Sequence, residues 1–410
     1  MNQYNVWNKW NKLKTVMLGD HYYSEFFNDI KNAKIRSALQ RISDETHEDL
    51  DYYETVLKNF GCNVIRPHVD KKDSIMNYID NEGKVIRPSS GVPRSPLQAR
   101  DTQFVAGNKR FFTMIEKGVH QKLNEYNSKD TIDLLSLKDF EIHKKYRPIN
   151  KEQFNNLKKY INLVGTYEEY KNESDYFDRL DGDTLNFVKN MDIRGCDHVN
   201  APSYTIVGRD LYIDQFDFKL RDDQLQILKE NIPNVRVNTL NHGGHSDGCF
   251  HTLKPGAILS ILDIQNYKHT FPGWDICYLP GESWGKVSGF IKLKNQVNGK
   301  WWVPGEEEND EFTHFVETWL QDWVGYVEES VFDVNVLVLD EHHVCVNNMN
   351  PTVIEFLKKH RMEPVHVPWR HRYFLDGGLH CITLDLEREG SQEDYFPERG
   401  NAGVIDHGFD

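Results

Sequence analysis

Short apolar runs alternate along the chain with longer stretches whose apolar residues recur every three to four positions. Leu13-Lys14-Thr15-Val16-Met17-Leu18-Gly19 has the density of a buried strand ended by glycine. From about Ser43 to Phe60 the spacing of Leu50, Tyr53, Val56, Leu57 and Phe60 predicts an amphipathic helix, stopped by Gly61. Cys62 to Pro67 is the next predicted strand. The helix-then-strand unit returns at Leu225 to Glu230 before Val235 to Leu240, and at Val353 to His360 before Glu363 to Pro368. Strand pairs split by short polar turns are predicted for Gln103 to Ala106 with Arg110 to Thr113, Thr205 to Val207 with Leu211 to Ile213, and Asn335 to Leu339 with His343 to Val346. These modules share a pattern without sharing residues, which points to a pseudosymmetric α/β assembly rather than a doubly wound sheet. No GxGxxG follows a strand and no GxxxxGK[ST] occurs, so no nucleotide site is signalled.

Two stretches break the rhythm. Residues 115–185 are rich in Lys, Asn, Asp, Glu and Tyr, and residues 281–327 hold Trp284, Trp301, Trp302, Trp319 and Trp323 around the acidic run Glu306 to Glu311. Both read as insertions in a single domain spanning residues 1–410: surface excursions, one of which could close over a substrate.

Composition narrows the function. The chain has 410 residues, 39% hydrophobic and 12% aromatic, enough for a large core. Its formal net charge of -14 repels polyanions and attracts small cations, so nucleic acid is not the expected partner. Six cysteines are scattered without a CxxC pair, which argues against a zinc knuckle or a disulfide framework. The start carries no signal-peptide pattern, and no apolar run reaches the ~18 residues of a membrane span. A cytoplasmic protein with free thiols and no membrane contact is the expectation.

Four segments carry candidate chemistry. In Asp376-Gly377-Gly378-Leu379-His380-Cys381, paired glycines permit close backbone approach or positive φ, and the cysteine stands at the mouth of a predicted strand. Read alone, such a cysteine is more often a buried structural thiol. In His245-Ser246-Asp247-Gly248-Cys249-Phe250, an extended backbone would point His245 and Asp247 to the same side. A histidine near in space is what activates a nucleophilic cysteine. Arg100-Asp101 stands at the entry to a strand, where a surface ion pair is the commoner case, and the stretch Cys196 to Tyr204 leads into the turn Gly208-Arg209-Asp210.

Together these segments resemble the amidinotransferase family. Gly377-Gly378-Leu379-His380-Cys381-Ile382-Thr383-Leu384-Asp385 is similar to that family's nucleophile motif, and His245 to Phe250, Arg100-Asp101 with Gly107-Asn108, and Val207 to Asp210 match its other motifs in the same order. The resemblance implies a five-bladed pseudosymmetric α/β propeller with a central active-site channel. It implies that Cys381 attacks the guanidinium carbon of a donor, with arginine expected, and that His245 moves protons. Asp101 and Asp247 would pair with the guanidinium nitrogens, with Arg100, Ser203, Gly378 and Glu328 beside the substrate. No cofactor and no metal is implied, the partners are a guanidino donor and an amine acceptor, and a homodimer is left open.

The chain departs from the family pattern in two places. Where the family has an acidic residue that orients the histidine, counting back from Gly208 gives Asn200, with Asp197 three residues earlier. The loop Ser260 to Gln265 lacks the arginine that arginine-using relatives place there, and Glu328-Glu329-Ser330 stands where they have serines. Carboxylates at that point favour a cationic acceptor. An arginine deiminase or dihydrolase of the same superfamily, and an inactive small-molecule-binding protein, are the alternative readings.

Overall fold

The structure, a computed structural model, describes residues 4–77, 92, 94–101, 103–112, 131–133, 201–215, 220, 222–240, 245–261, 267–279, 303–320, 323–324, 329–401 and 403–407. One unit recurs: an antiparallel pair, a crossover, and a third strand parallel to the second. In its clearest form β1 (Leu13–Leu18) is followed by α1 (Ala33–Asn59) and β2 (Asn63–Ile65), which runs parallel to β1. The antiparallel pair β3 (Gln103–Ala106) and β4 (Lys109–Phe112) takes β5 (Thr131–Asp133) as its third strand. The next pair, β6 (Tyr204–Val207) and β7 (Asp210–Asp214), is joined through α2 (Asp222–Asn231) to β8 (Arg236–Leu240).

The short α3 (Ser246–Cys249) leads into β9 (Phe250–Lys254) and β10 (Ala257–Ser260), then α4 (Tyr267–Thr270) and β11 (Asp275–Tyr278). After α5 (Asp310–Trp319) and α6 (Glu329–Val334), the last unit is β12 (Leu337–Asp340), β13 (His343–Val346), α7 (Pro351–Lys359) and β14 (Glu363–His366).

The antiparallel partner of β1 comes from the other end of the chain. A short α8 (Arg372–Leu375) precedes β15 (Thr383–Arg388), which pairs Val16 with Asp385 and Leu18 with Thr383. The far strand β16 (Val404–Asp406) adds to β8. Among the described residues the result is five sheets, four of three strands and one of four, closed by the pairing of β1 with β15. This is the five-bladed α/β propeller that the sequence led us to expect. Segment 5–8 ties blades together: Val6 exchanges backbone hydrogen bonds of 2.8 and 2.6 Å with Gly107, and Gly208 N–H donates to the Trp7 carbonyl at 2.6 Å. Gly107 and Gly208 sit at φ of 61° and 62° in equivalent hairpin turns, a conformation a side chain would strain.

Two expectations need correction. α1 starts at Ala33, ten residues before the predicted start, because the Asn32 side chain caps Lys34 and Ile35 N–H and because Ile35, Ala38, Leu39 and Ile42 extend the buried stripe. The end of the second insertion is no surface excursion: Val303, Phe312, Val316, Leu320 and Trp323 are buried in the same core cluster as α1. Residues 281–302 and most of 115–185 lie outside the described residues. No helix among the described residues is long and apolar enough to cross a membrane.

Candidate active site

The loop that carries Cys381 is held from several sides. α8 ends at Asp376, which takes the left-handed conformation at φ 51° and pairs with Arg94 at 2.8 Å. Trp369 Nε1 donates to the Gly377 carbonyl at 2.8 Å, and Gln98 Nε2 donates to the Leu375 carbonyl. The chain then turns tightly, with Ile382 N–H on the Gly378 carbonyl and Thr383 N–H on the His380 carbonyl, and β15 begins two residues after Cys381. Neither glycine uses positive φ; that falls to Asp376. The glycines serve close approach instead. A Cβ on Gly378 would stand 2.7 Å from both Cβ and Oδ1 of Asn335, and one on Gly377 would stand 3.2 Å from the Cys381 Cβ.

Asn335, at the end of α6, faces this turn. Its Oδ1 accepts from His380 N–H at 2.9 Å and Cys381 N–H at 3.0 Å. Its Nδ2 donates to the Asp247 carbonyl at 3.1 Å and to Cys381 Sγ at 3.0 Å. Asp247, in α3, is buried; its Oδ2 bonds His380 Nδ1 at 2.8 Å and lies 3.6 Å from Cys381 Sγ. Its Oδ1 is buried with no hydrogen-bond partner among the described residues. A buried carboxylate oxygen left unpaired is costly, so among the described residues this atom is an acceptor that an N–H donor would satisfy.

The electrostatics agree with that reading. Burial pushes the Asp247 carboxyl up, but the hydrogen bond from His380 and the nearby Arg100 guanidinium outweigh it and hold the group well below the usual carboxylate range. Burial, with Arg100 adding to it, pushes His380 well below the usual imidazole range, so it stands as a neutral ring donating Nδ1–H to the carboxylate. Burial also pushes the Cys381 thiol well above its ordinary range, and the charges of Asp247 and Asp101 push it further. Cys381 is partly exposed, so a reagent can reach it. The site holds excess negative charge around a protonated thiol, an arrangement that a bound cation relieves.

The other residues expected at the site divide three ways. Asp101 is half-buried and close enough to act on the thiol. His245 acts on Asp247 but not from an extended segment: 246–249 forms a helical turn, with Gly248 N–H bonded to the His245 carbonyl at 3.1 Å. His245 is therefore exposed at the head of the turn while Asp247 points inward. Arg100 is buried under the Cys381 loop rather than open to a ligand. Its Nε donates to the His380 and Thr383 carbonyls, each at 2.9 Å, and its Nη2 lies 3.5 Å from Asp385. Asp385 also binds Arg388 at 2.9 Å and lies 3.9 Å from Lys9, whose ammonium burial pushes down to about 7. The Ser203 carbonyl accepts the Ser246 hydroxyl at 2.9 Å and so anchors α3. Asn200, Asp197 and Glu328 lie outside the described residues. Sequence reasoning missed Asn335, taken as the first residue of a strand; its identity ahead of an apolar run was the one available signal.

Comparison with known proteins bears out the family resemblance. No family model matches the chain. Glycine amidinotransferase, mitochondrial, of Gallus gallus is 22% identical over 206 residues, 48% of this chain and 40% of that protein. The L-arginine:L-lysine amidinotransferase of Pseudomonas savastanoi pv. phaseolicola is 31% identical over 155 residues, 38% of this chain and 33% of its own length. The matches thus span well under half of those relatives. Among solved structures, an amidinotransferase of the saxitoxin biosynthetic pathway of Microseira wollei superposes over 96% of this chain and 100% of its own, with TM-score 0.56 and 16% identity. The inosamine-phosphate amidinotransferase of Streptomyces griseus superposes over 96% and 99%, with TM-score 0.54 and 18% identity. These likenesses establish the fold.

Proposed function

We propose that this chain, whose relatives and structural neighbours are amidinotransferases, moves an amidino group from a guanidino donor to an amine through a covalent intermediate on Cys381. The observation that carries the reading is the Asp247 carboxylate: one oxygen is held by His380 and lies 3.6 Å from Cys381 Sγ, and the other is buried and unpaired among the described residues. A planar guanidinium bound there presents N–H donors to Asp247 and Asp101 and its carbon to the sulfur. Its positive charge also offsets the repulsion that, added to burial, keeps the thiol protonated, so the nucleophile is generated as the substrate arrives.

In the first half-reaction the thiolate forms a C–S bond to the guanidinium carbon. The C–N bond to the donor's chain breaks as His245 gives a proton to the departing nitrogen. An amidino group is left on sulfur, and a primary amine leaves. In the second, the acceptor amine attacks the same carbon, His245 takes a proton from it, and the C–S bond breaks to return the thiolate. The name of the Pseudomonas relative pairs L-arginine with L-lysine. We adopt arginine as donor and a cationic amine such as lysine as acceptor, in keeping with Glu328-Glu329 and the missing arginine in the loop Ser260 to Gln265. A reduced thiol requires a reducing compartment, and the cytoplasm supplies one.

The test is incubation with L-arginine and a panel of glycine, lysine and polyamines. Ornithine together with an amidinated cationic amine supports the reading. Citrulline and ammonia formed without any amine would replace it with a hydrolase, and equal use of glycine and polyamines would sink the cationic-acceptor assignment.

A further inference from the structure

We infer that Asn335 is a further catalytic residue of this site: its side-chain amide holds the Cys381 sulfur by donating to it while its carbonyl oxygen pins the backbone of the same turn. The inference rests on the proposed role of Cys381 as nucleophile. It starts from the orientation of the amide, which the surroundings determine. Two backbone donors, His380 N–H and Cys381 N–H, converge on one terminal atom at 2.9 and 3.0 Å, so that atom is the oxygen. The other is then the NH2 group, and its two protons have two acceptors in reach: the Asp247 carbonyl at 3.1 Å and Cys381 Sγ at 3.0 Å. Every donor and acceptor of the side chain is used, and three of the four bonds end on residues 380 and 381.

Around the sulfur, Asn335 has a distinct part. The nearby charged groups, Asp247 and Asp101, are anionic and oppose the thiolate. The Asn335 amide, with the Gly378 backbone N–H, is a donor that favours it. It does so without bringing in a cation that would compete for the carboxylates meant for a guanidinium. An arginine or lysine in its place would stabilise the thiolate more strongly but would neutralise Asp247. A neutral donor meets both demands.

The packing shows that the contact is built in. Asn335 N–H is fixed to the Val331 carbonyl at 2.9 Å, and its own carbonyl accepts from His380 N–H at 3.3 Å. Gly378 lies so close that any side chain there would collide with the amide, at 2.7 Å from both its Cβ and its Oδ1. The glycine that the nucleophile motif places three residues before the cysteine is the space this asparagine occupies.

The experiment is the pH profile of Cys381 alkylation by iodoacetamide, quantified on its own peptide by mass spectrometry in the full chain. Asn335→Ala and Asn335→Ser are compared with the unsubstituted protein, circular dichroism reporting the fold. Loss of the donor shifts the profile to higher pH in both variants, slowing alkylation about tenfold on its rising limb, while the limiting rate at high pH is kept. A purely structural asparagine gives the opposite split: an unmoved profile with a lower limiting rate. That result in either folded variant overturns the inference, and so does a profile identical to that of the unsubstituted protein. Alkylation needs no guanidino substrate, so the outcome stands whether or not the chain transfers amidino groups.

Discussion

Replacing Asp247 by asparagine separates its two effects on the site, which carry opposite signs. The buried carboxylate lies 3.6 Å from the partly exposed Cys381 Sγ. At an effective dielectric of about 20, a unit charge at that distance opposes a thiolate by up to about 4–5 kcal/mol. The Asp247→Asn change keeps the shape, and the amide oxygen still accepts from His380 Nδ1, so the turn should stand. With the charge gone the thiol ionises more readily. Alkylation of Cys381 by neutral iodoacetamide at pH 7 should therefore quicken at least about tenfold. The same change removes the anionic partner of the guanidinium, worth roughly 3–5 kcal/mol when one member of a buried pair is deleted, so arginine-dependent transfer should fall by about a hundredfold or more. The two assays run on one preparation: peptide-level alkylation against time, and ornithine release from arginine. Alkylation that slows or stays unchanged refutes the electrostatic reasoning. Transfer that survives removes Asp247 from the substrate site.

Other substitutions bear on neighbouring parts of the account. Gly378→Ala should lower stability by about 1–3 kcal/mol, because the new Cβ meets the Asn335 side chain at 2.7 Å; a urea midpoint equal to that of the unsubstituted protein would contradict it. Arg100→Ala empties the support beneath the Cys381 turn and leaves the His380 and Thr383 carbonyls short of a donor. A loss of about 3–5 kcal/mol in the same titration is expected, against little change if Arg100 served only a ligand. His245→Ala removes an exposed side chain, so its thermal midpoint should be kept while amine turnover falls about a hundredfold or more; intact turnover would take the proton-transfer role from His245.

The hairpins β3–β4, β6–β7 and β12–β13 were legible because each is a local pattern, two short apolar runs split by a polar turn. The closure of the ring was not, since the β1–β15 register joins Leu18 to Thr383 and no local pattern spans that separation. The start of α1 was hidden because Ile35, Ala38, Leu39 and Ile42 are interleaved with Lys, Arg, Gln and Ser, and its cap, Asn32, lies outside the apolar run. At the site, Cys381 and Asp247 were marked by neighbouring glycines, but spacing alone misjudged their surroundings. His245 and Asp247 are separated by a helical turn, and Arg100, adjacent to Asp101 in sequence, is turned into the core to hold carbonyls. Beyond its identity ahead of an apolar run, Asn335 gave little away, because its significance comes from facing Gly378 and Cys381, the latter 46 residues away.

The central claim, a covalent amidino group on Cys381, is tested most directly by incubating the protein with L-arginine, quenching in acid and weighing the intact chain. The account predicts a gain equal to one amidino group, localised to the peptide containing Cys381, absent in Cys381→Ala and discharged when a cationic amine is added. No gain in the unsubstituted protein while ornithine is being released, or the same gain in Cys381→Ala, would contradict it.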